Sequence, residues 1–148
     1  MMTVQLVFRI QRLLVTASAF LLLVFSLSAK SIVGSSVHYV EFVSKDVAKQ
    51  CALLEEIHGV PFGSEVKDLG QAKVAKTKSG VLLGVRAPMA LHEKPIIRVY
   101  FAVDDIAKAI KTAEAAGAMV AYPPTKQGET GTWAIYILGG IQHGLWQK

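Results

Sequence analysis

The sequence predicts an α+β fold built from two similar halves, each running strand, helix, strand, strand, strand. Three observations carry this. Two stretches rich in β-branched and aromatic residues, Val37–Val43 and Ile96–Val103, are each followed by an aspartate and an amphipathic segment. Asp46-Val47-Ala48-Lys49 matches Asp105-Ile106-Ala107-Lys108 at an offset of 59. Gly80 and Gly84 match Gly140 and Gly144 at an offset of 60, so the economical explanation is an internal duplication.

Module one covers residues 36–86. Its first strand, Val37–Val43, ends at Ser44-Lys45-Asp46, where Asp46 caps a helix reaching Ile57 and closed by Gly59. Apolar Val47, Leu53, Leu54 and Ile57, with Ala48, Cys51 and Ala52 between them, give that helix its inward stripe. Further strands fit Ser64–Lys67, Gln71–Lys78 and Gly80–Arg86. Residues 87–95, with Pro88 and Pro95 near its ends, form a linker. Module two, residues 96–148, opens with strand Ile96–Val103. Asp105 caps its helix, which runs to Ala116 and stops at Gly117. Strands then fit Met119–Tyr122, Thr132–Leu138 and Ile141–Gln147.

Length and charge narrow the function. The chain has 148 residues, room for one domain, and a formal net charge of +5 from 16 basic and 11 acidic residues. Arg9 and Arg12 lie in the first 29 residues; without them, 14 basic against 11 acidic residues leaves +3, scattered along the chain. That is no phosphate-tracking surface, and no nucleic-acid partner is expected. The single cysteine makes no intrachain disulfide, so the core alone must hold the fold.

Residues 1–29 stand apart. Leu13–Ala29 has 13 apolar residues in 17 and no charge, directly after Arg9 and Arg12, which is the layout of a secretory signal peptide. Ser26, Ser28 and Ala29 supply small residues for cleavage after Ser28 or Ala29. The mature protein is expected to be secreted or periplasmic and free of membrane once the leader is removed. The alternative is a membrane anchor over residues 13–29, since a run of this length just spans a bilayer. No cysteine stands near the cut, which argues against a lipoprotein.

Val99-Tyr100-Phe101-Ala102-Val103-Asp104-Asp105-Ile106 opens module two, and Gly144-Leu145-Trp146-Gln147 closes it. With Ala113-Glu114-Ala115-Ala116-Gly117-Ala118 and Pro123-Pro124-Thr125 between them, these segments resemble the vicinal oxygen chelate superfamily, also called glyoxalase/bleomycin resistance/dioxygenase. The resemblance covers about residues 36 to 148. It implies an eight-stranded curved mixed sheet around a cavity, with the helices outside, and in that family's enzymes a divalent metal inside.

The implied metal ligands are not there. Seven residues before each helix-capping aspartate, where a metal-binding member carries His or Gln, stand Tyr39 and Arg98. On the last strand of each module, in place of Glu, stand Gly84 and Gly144. A divalent ion needs several N, O or S donors converging on one point, and an arginine adds a repelling charge. No metal and no other cofactor is expected. His38 and His143 come forward only if the register slips by one. Alternation places them on the other strand face, beside Val40, Phe42 and Leu145, where the helices pack.

What replaces the metal points to a different pocket. Period-two alternation puts Tyr39 and Glu41 on the concave face of the first strand, and Arg98 and Tyr100 on that of its counterpart. Arg86, Gln142 and Trp146, two residues from the glycines, share that side. Together these seven can grip a small organic ligand, anionic or aromatic, with Arg98 as charged anchor. The plainer alternative is that Glu41 and Arg98 neutralise each other as an ion pair. Other residues have structural readings. Cys51 is core, and His58 suits a helix C-terminus. Lys67, Lys73, Lys76 and Lys78 solubilise a strand edge rather than bind phosphate or anionic lipid. His92 and Glu93 are solvated, although such a linker can lie over a cavity mouth.

Two function classes follow. One is an exported protein that binds a small molecule without changing it, as the resemblance to the bleomycin-resistance branch implies. The other is a metal-free lyase, isomerase or dioxygenase-related enzyme acting on a small carbonyl compound. There Glu41 would be general base and Arg98 would stabilise an oxyanion. A homodimer, with or without exchange of modules between chains, stays open.

Overall fold

The computed structural model describes residues 33–148. The expected leader, residues 1–29, lies outside them. Among the described residues no helix is long and apolar enough to cross a membrane.

Module one comprises β1 (Val33–Val43), α1 (Val47–His58), β2 (Glu65–Val66), a 3-10 turn at Lys67–Leu69, β3 (Ala72–Lys76) and β4 (Leu82–Arg86). Module two comprises β5 (Ile96–Val103), α2 (Ile106–Ala115), β6 (Met119–Gln127), β7 (Gly131–Leu138) and β8 (Ile141–Gln147). The strands form one curved mixed sheet of eight, ordered β2-β3-β4-β1-β5-β8-β7-β6. The sheet does not close: β2 and β6 are its edges.

The helices begin where an aspartate takes an orphan amide. Asp46 Oδ1 accepts from Lys49 N at 3.0 Å, and Asp105 Oδ1 from Lys108 N at 2.9 Å. Such caps contribute about 1 kcal/mol each. α1 stops at Gly59, whose φ of 63° is the left-handed conformation that glycine adopts without strain. Its packed face is narrower than the sequence predicts. Val47, Cys51 and Leu54 meet Val85 and Phe42, while Leu53 and Ile57 are 47% and 61% exposed. Positions 47, 51 and 54 share one stripe of the helix, and 53 and 57 fall to one side of it. α2 buries Ile106, Ala109 and Ile110 against Val103, Ala134 and Leu145. These sheet residues all lie on the face opposite Glu41 and Arg98, so both helices cover the convex side.

The register brings the site together. β1 and β5 pair antiparallel in the centre, with Tyr39 opposite Tyr100 and Glu41 opposite Arg98. β4 runs parallel to β1 and sets Gly84 beside Glu41; β8 runs parallel to β5 and sets Gly144 beside Tyr100. The same connection therefore recurs on both sides of the β1–β5 seam within one chain. Three strands depart most from expectation: β1 begins at Val33, four residues before Val37, and the two edge strands differ as well. β2 is only two residues long before the chain turns. β6 continues past Tyr122 through Pro123 and Pro124 to Gln127, with two register shifts against β7. An edge strand tolerates this because its outer side owes no ladder hydrogen bonds.

Candidate functional site

The concave centre of the sheet carries buried charge: Glu41, Arg86 and Arg98 are each no more than 6% exposed. Charges so far from water must be paired. Glu41 is the hub. Arg86 Nε donates to its Oε1 at 2.6 Å, Arg98 Nη1 donates to Oε2, and the Tyr100 hydroxyl donates to Oε2 at 3.3 Å. Arg98 Nε also donates to Gln142 Oε1 at 2.9 Å. On the other side, Arg86 Nη1 and Nη2 donate to the two oxygens of Glu93 at 2.9 and 2.7 Å. The network runs Glu93, Arg86, Glu41, Arg98, Gln142, and its two cations balance its two anions.

These contacts set the protonation states. The hydrogen bonds from Arg86 hold the Glu93 carboxyl down at about 2. Burial alone would lower Arg86, but its hydrogen bonds and charge interactions with Glu93 and Glu41 outweigh that and keep it cationic. Burial, then the charge of Glu41, pushes the Tyr39 and Tyr100 phenols well above their usual range. At neutral pH both are therefore O–H groups and neither is a phenolate.

Aromatic rings wall the space above this floor. Tyr39, Tyr100 and Trp146 lie mutually within 5.9 Å, centroid to centroid, and Trp146 meets Tyr100 edge-on at 79°. Trp146 Nε1 is fixed by the Thr130 carbonyl at 3.0 Å. The two glycines are not vacancies. A Cβ on Gly84 would run into the Tyr39 hydroxyl, and one on Gly144 into the Tyr100 ring. The tyrosines fill the places where the resemblance implies carboxylates. Tyr39 Oη is buried against Gly84 and has no hydrogen-bond partner among the described residues.

All seven expected residues, Tyr39, Glu41, Arg86, Arg98, Tyr100, Gln142 and Trp146, line one cavity of about 830 Å³. The structure nevertheless changes what they offer. Arg98 is not an open anchor for an anion, because Glu41 already neutralises it. Nor is Glu93 a solvated linker residue: its side chain is 20% exposed and clasps Arg86. Trp133, Ile135, Tyr122, Leu69 and Met89 complete the walls and mouth. Trp133 and Ile135 were within reach of the alternation rule, since β7 sets them opposite Trp146 and Gly144. No local signal marks Glu93.

The histidines fall in different places. The ring of His143 stacks on Tyr136 at 4.9 Å, on the helix-packed face, as alternation predicts. His38 does not follow alternation. The register between β1 and β5 shifts between Val37 and Tyr39, and the His38 ring comes to 5.2 Å from that of Trp146. Burial there, then the charge of Lys148, lowers its pKa.

The donor set does not suit a divalent metal. Among the described residues Glu41 is the one carboxylate that the central strands bring to the site, and two guanidinium groups flank it; Gly84 and Gly144 are covered by rings, and Tyr39 is a neutral phenol. Among the described residues no three His, Cys, Asp or Glu side chains converge.

No protein-family model matches the chain, and no curated protein matches it in sequence. Solved structures do match its fold. The methylmalonyl-CoA epimerase of Mycobacterium tuberculosis superposes with a TM-score of 0.62 at 16% identity, covering 82% of this chain and 93% of its own. A Streptomyces coelicolor methylmalonyl-CoA epimerase variant in complex with 2-nitronate-propionyl-CoA gives 0.56 at 12% identity, covering 78% of this chain and 98% of its own. A NAD-dependent benzaldehyde dehydrogenase from Legionella pneumophila gives 0.55 at 15%, covering 74% and 96%. At such identities the likeness speaks to fold and leaves activity open. Methylmalonyl-CoA epimerase is a member of the vicinal oxygen chelate superfamily, and with its paired βαβββ modules in one open eight-stranded sheet this chain has the vicinal oxygen chelate fold.

Proposed function

We propose that the protein is exported and binds a small organic molecule with an aromatic ring in the cavity of the concave sheet, without a metal. The observation that carries the reading is the cavity itself. About 830 Å³ is walled by Tyr39, Tyr100, Tyr122, Trp133 and Trp146 over a charge-balanced polar floor. That is the composition of a ligand site: broad apolar walls with a few placed polar groups. Export rests on Arg9, Arg12 and the uncharged run over residues 13–29.

A lyase or isomerase using Glu41 as base has less support. Its oxygens already accept from Arg86, Arg98 and Tyr100, so the carboxylate is held by the protein's own donors rather than presented to a substrate.

Screening small aromatic compounds by quenching of Trp133 and Trp146 fluorescence tests the reading. A ligand should emerge, and Trp146→Ala should weaken it by roughly tenfold, the size of an aromatic pair contact. A panel with no binder, or ligands indifferent to Trp146→Ala, would overturn it.

A further inference from the structure

The charges on the floor do not all come from the sheet. Strands β1, β4 and β5 supply Glu41, Arg86 and Arg98, one cation in excess. The balancing carboxylate, Glu93, belongs to the segment between β4 and β5, residues 87–95. It meets Arg86 end-on, its two oxygens paired with Nη1 and Nη2, a two-bond geometry that a free carboxylate also adopts on a guanidinium.

Little else holds Glu93 there. Its backbone amide donates to the Ala90 carbonyl at 3.0 Å, and Met89 N donates to its Oε2 at 2.7 Å, both within the segment itself. Met89 rests its terminal methyl on Gly70 across the mouth, yet is 68% exposed, and Leu91 is fully exposed. Glu93's side chain is 20% exposed, against 6% for Arg86 and 8% for Glu41. The strand residues are rooted in the sheet, and Glu93 is the member that can leave.

We propose that Arg86 is a carboxylate subsite of the cavity, and that Glu93 is its internal occupant, displaced when an aromatic carboxylate enters. This rests on the reading of the cavity as a ligand site and adds the ligand's class. Exchange of one carboxylate for another keeps Arg86 paired and the floor neutral, so no buried charge is orphaned. The expelled Glu93 moves into water, where an ionised carboxylate is well solvated. A neutral aromatic molecule provides no such exchange and leaves residues 87–95 in place.

The test uses 2-naphthoate and its neutral isostere 2-naphthalenemethanol with the whole protein and with Glu93→Gln. Glu93→Gln should bind 2-naphthoate roughly tenfold tighter than the parent, because the competing charge is gone, and should bind the alcohol equally. In the parent, 2-naphthoate should speed hydrogen exchange at the Met89 amide, which loses its acceptor, and the alcohol should not. That second measurement needs no substitution, so it decides the question even if Glu93→Gln folds poorly. If the alcohol binds but 2-naphthoate gains nothing from Glu93→Gln and leaves Met89 exchange unchanged, the displacement is wrong while the cavity reading stands. If neither compound binds either protein, the cavity reading falls and takes the displacement with it.

Discussion

Glu41 on β1 and Arg98 on β5 stand directly opposite each other across the seam that joins the two modules, and Arg98 Nη1 donates to Glu41 Oε2. Arg86 on β4 takes the other oxygen at 2.6 Å, so one carboxylate ties three strands together. The arrangement also specifies register. A slip of one residue at the seam would turn one strand's charge onto the helix-packed face and leave its partner behind, unpaired and buried.

Removing Arg98 tests that tie. Arg98→Ala leaves Glu41, Glu93 and Arg86, a floor with one uncompensated negative charge, and should cost about 3 kcal/mol, the low end for breaking a buried pair because Arg86 remains. The double change Arg98→Ala with Glu41→Gln leaves only Arg86 and Glu93 and restores neutrality, so it should recover part of the loss. Urea unfolding midpoints measure both. A double variant no more stable than the single one would show that charge balance is not what holds the seam.

The glycines should prove intolerant of even a methyl group. Gly84→Ala drives a Cβ into the Tyr39 hydroxyl, and Gly144→Ala drives one into the Tyr100 ring. Each should cost about 1–3 kcal/mol by overpacking. Tyr39→Phe removes a buried hydroxyl that has no partner among the described residues, so it should be neutral or stabilising and should soften the cost of Gly84→Ala. Thermal denaturation of the two single variants and their combination checks this; strictly additive effects would place the Tyr39 ring elsewhere.

Acid should loosen residues 87–95. The Glu93 carboxyl titrates at about 2 in the fold against 4.5 ordinarily, so the folded state binds fewer protons than the unfolded one. Its contribution is complete above about pH 4.5 and is lost as pH falls through 2. The groups facing it are Arg86, Arg98 and the Met89 amide. Stability measured from pH 5 down to 2 should therefore fall more steeply in the parent than in Glu93→Gln, and parallel curves would contradict the clasp.

Elemental analysis of the dialysed protein should find far less than one equivalent of zinc, iron, nickel or manganese. The expectation rests on Tyr39, Gly84, Arg98 and Gly144 standing where the resemblance implies ligands. A stoichiometric ion whose removal abolished ligand binding would show that other donors had taken over, with His38 and His143 the first to re-examine.

N-terminal sequencing of native material should begin at Ala29 or Lys30, in a fraction outside the cytoplasm. Recovery of Met1 on a cytosolic protein would remove the export half of the proposal.

The sequence alone was enough for both helices, for the central strand β5 and for β8, and for the side of the sheet on which the polar residues lie. Ile96–Val103 and Ile141–Gln147 fall where their alternation and flanking glycine and aspartate place them, and Asp46 and Asp105 start the helices. Alternation is a property of the extended backbone, so Tyr39, Glu41, Arg98, Tyr100, Gln142 and Trp146 could be assigned to one face before any pairing was known. Only the tertiary structure decided the rest. His38 leaves the pattern because of a register shift that exists only once β1 pairs with β5. β6 runs through two prolines because it lies at an edge, and being at an edge is a fact of topology. The meaning of the arginines changed most. Whether Arg86 and Arg98 are open to a ligand depends on which carboxylates reach them, and Glu93 reaches Arg86 by the path of a connecting segment that has no periodicity to read. Local backbone geometry determines which way a side chain points, whereas the partner it finds is settled by the path of the whole chain.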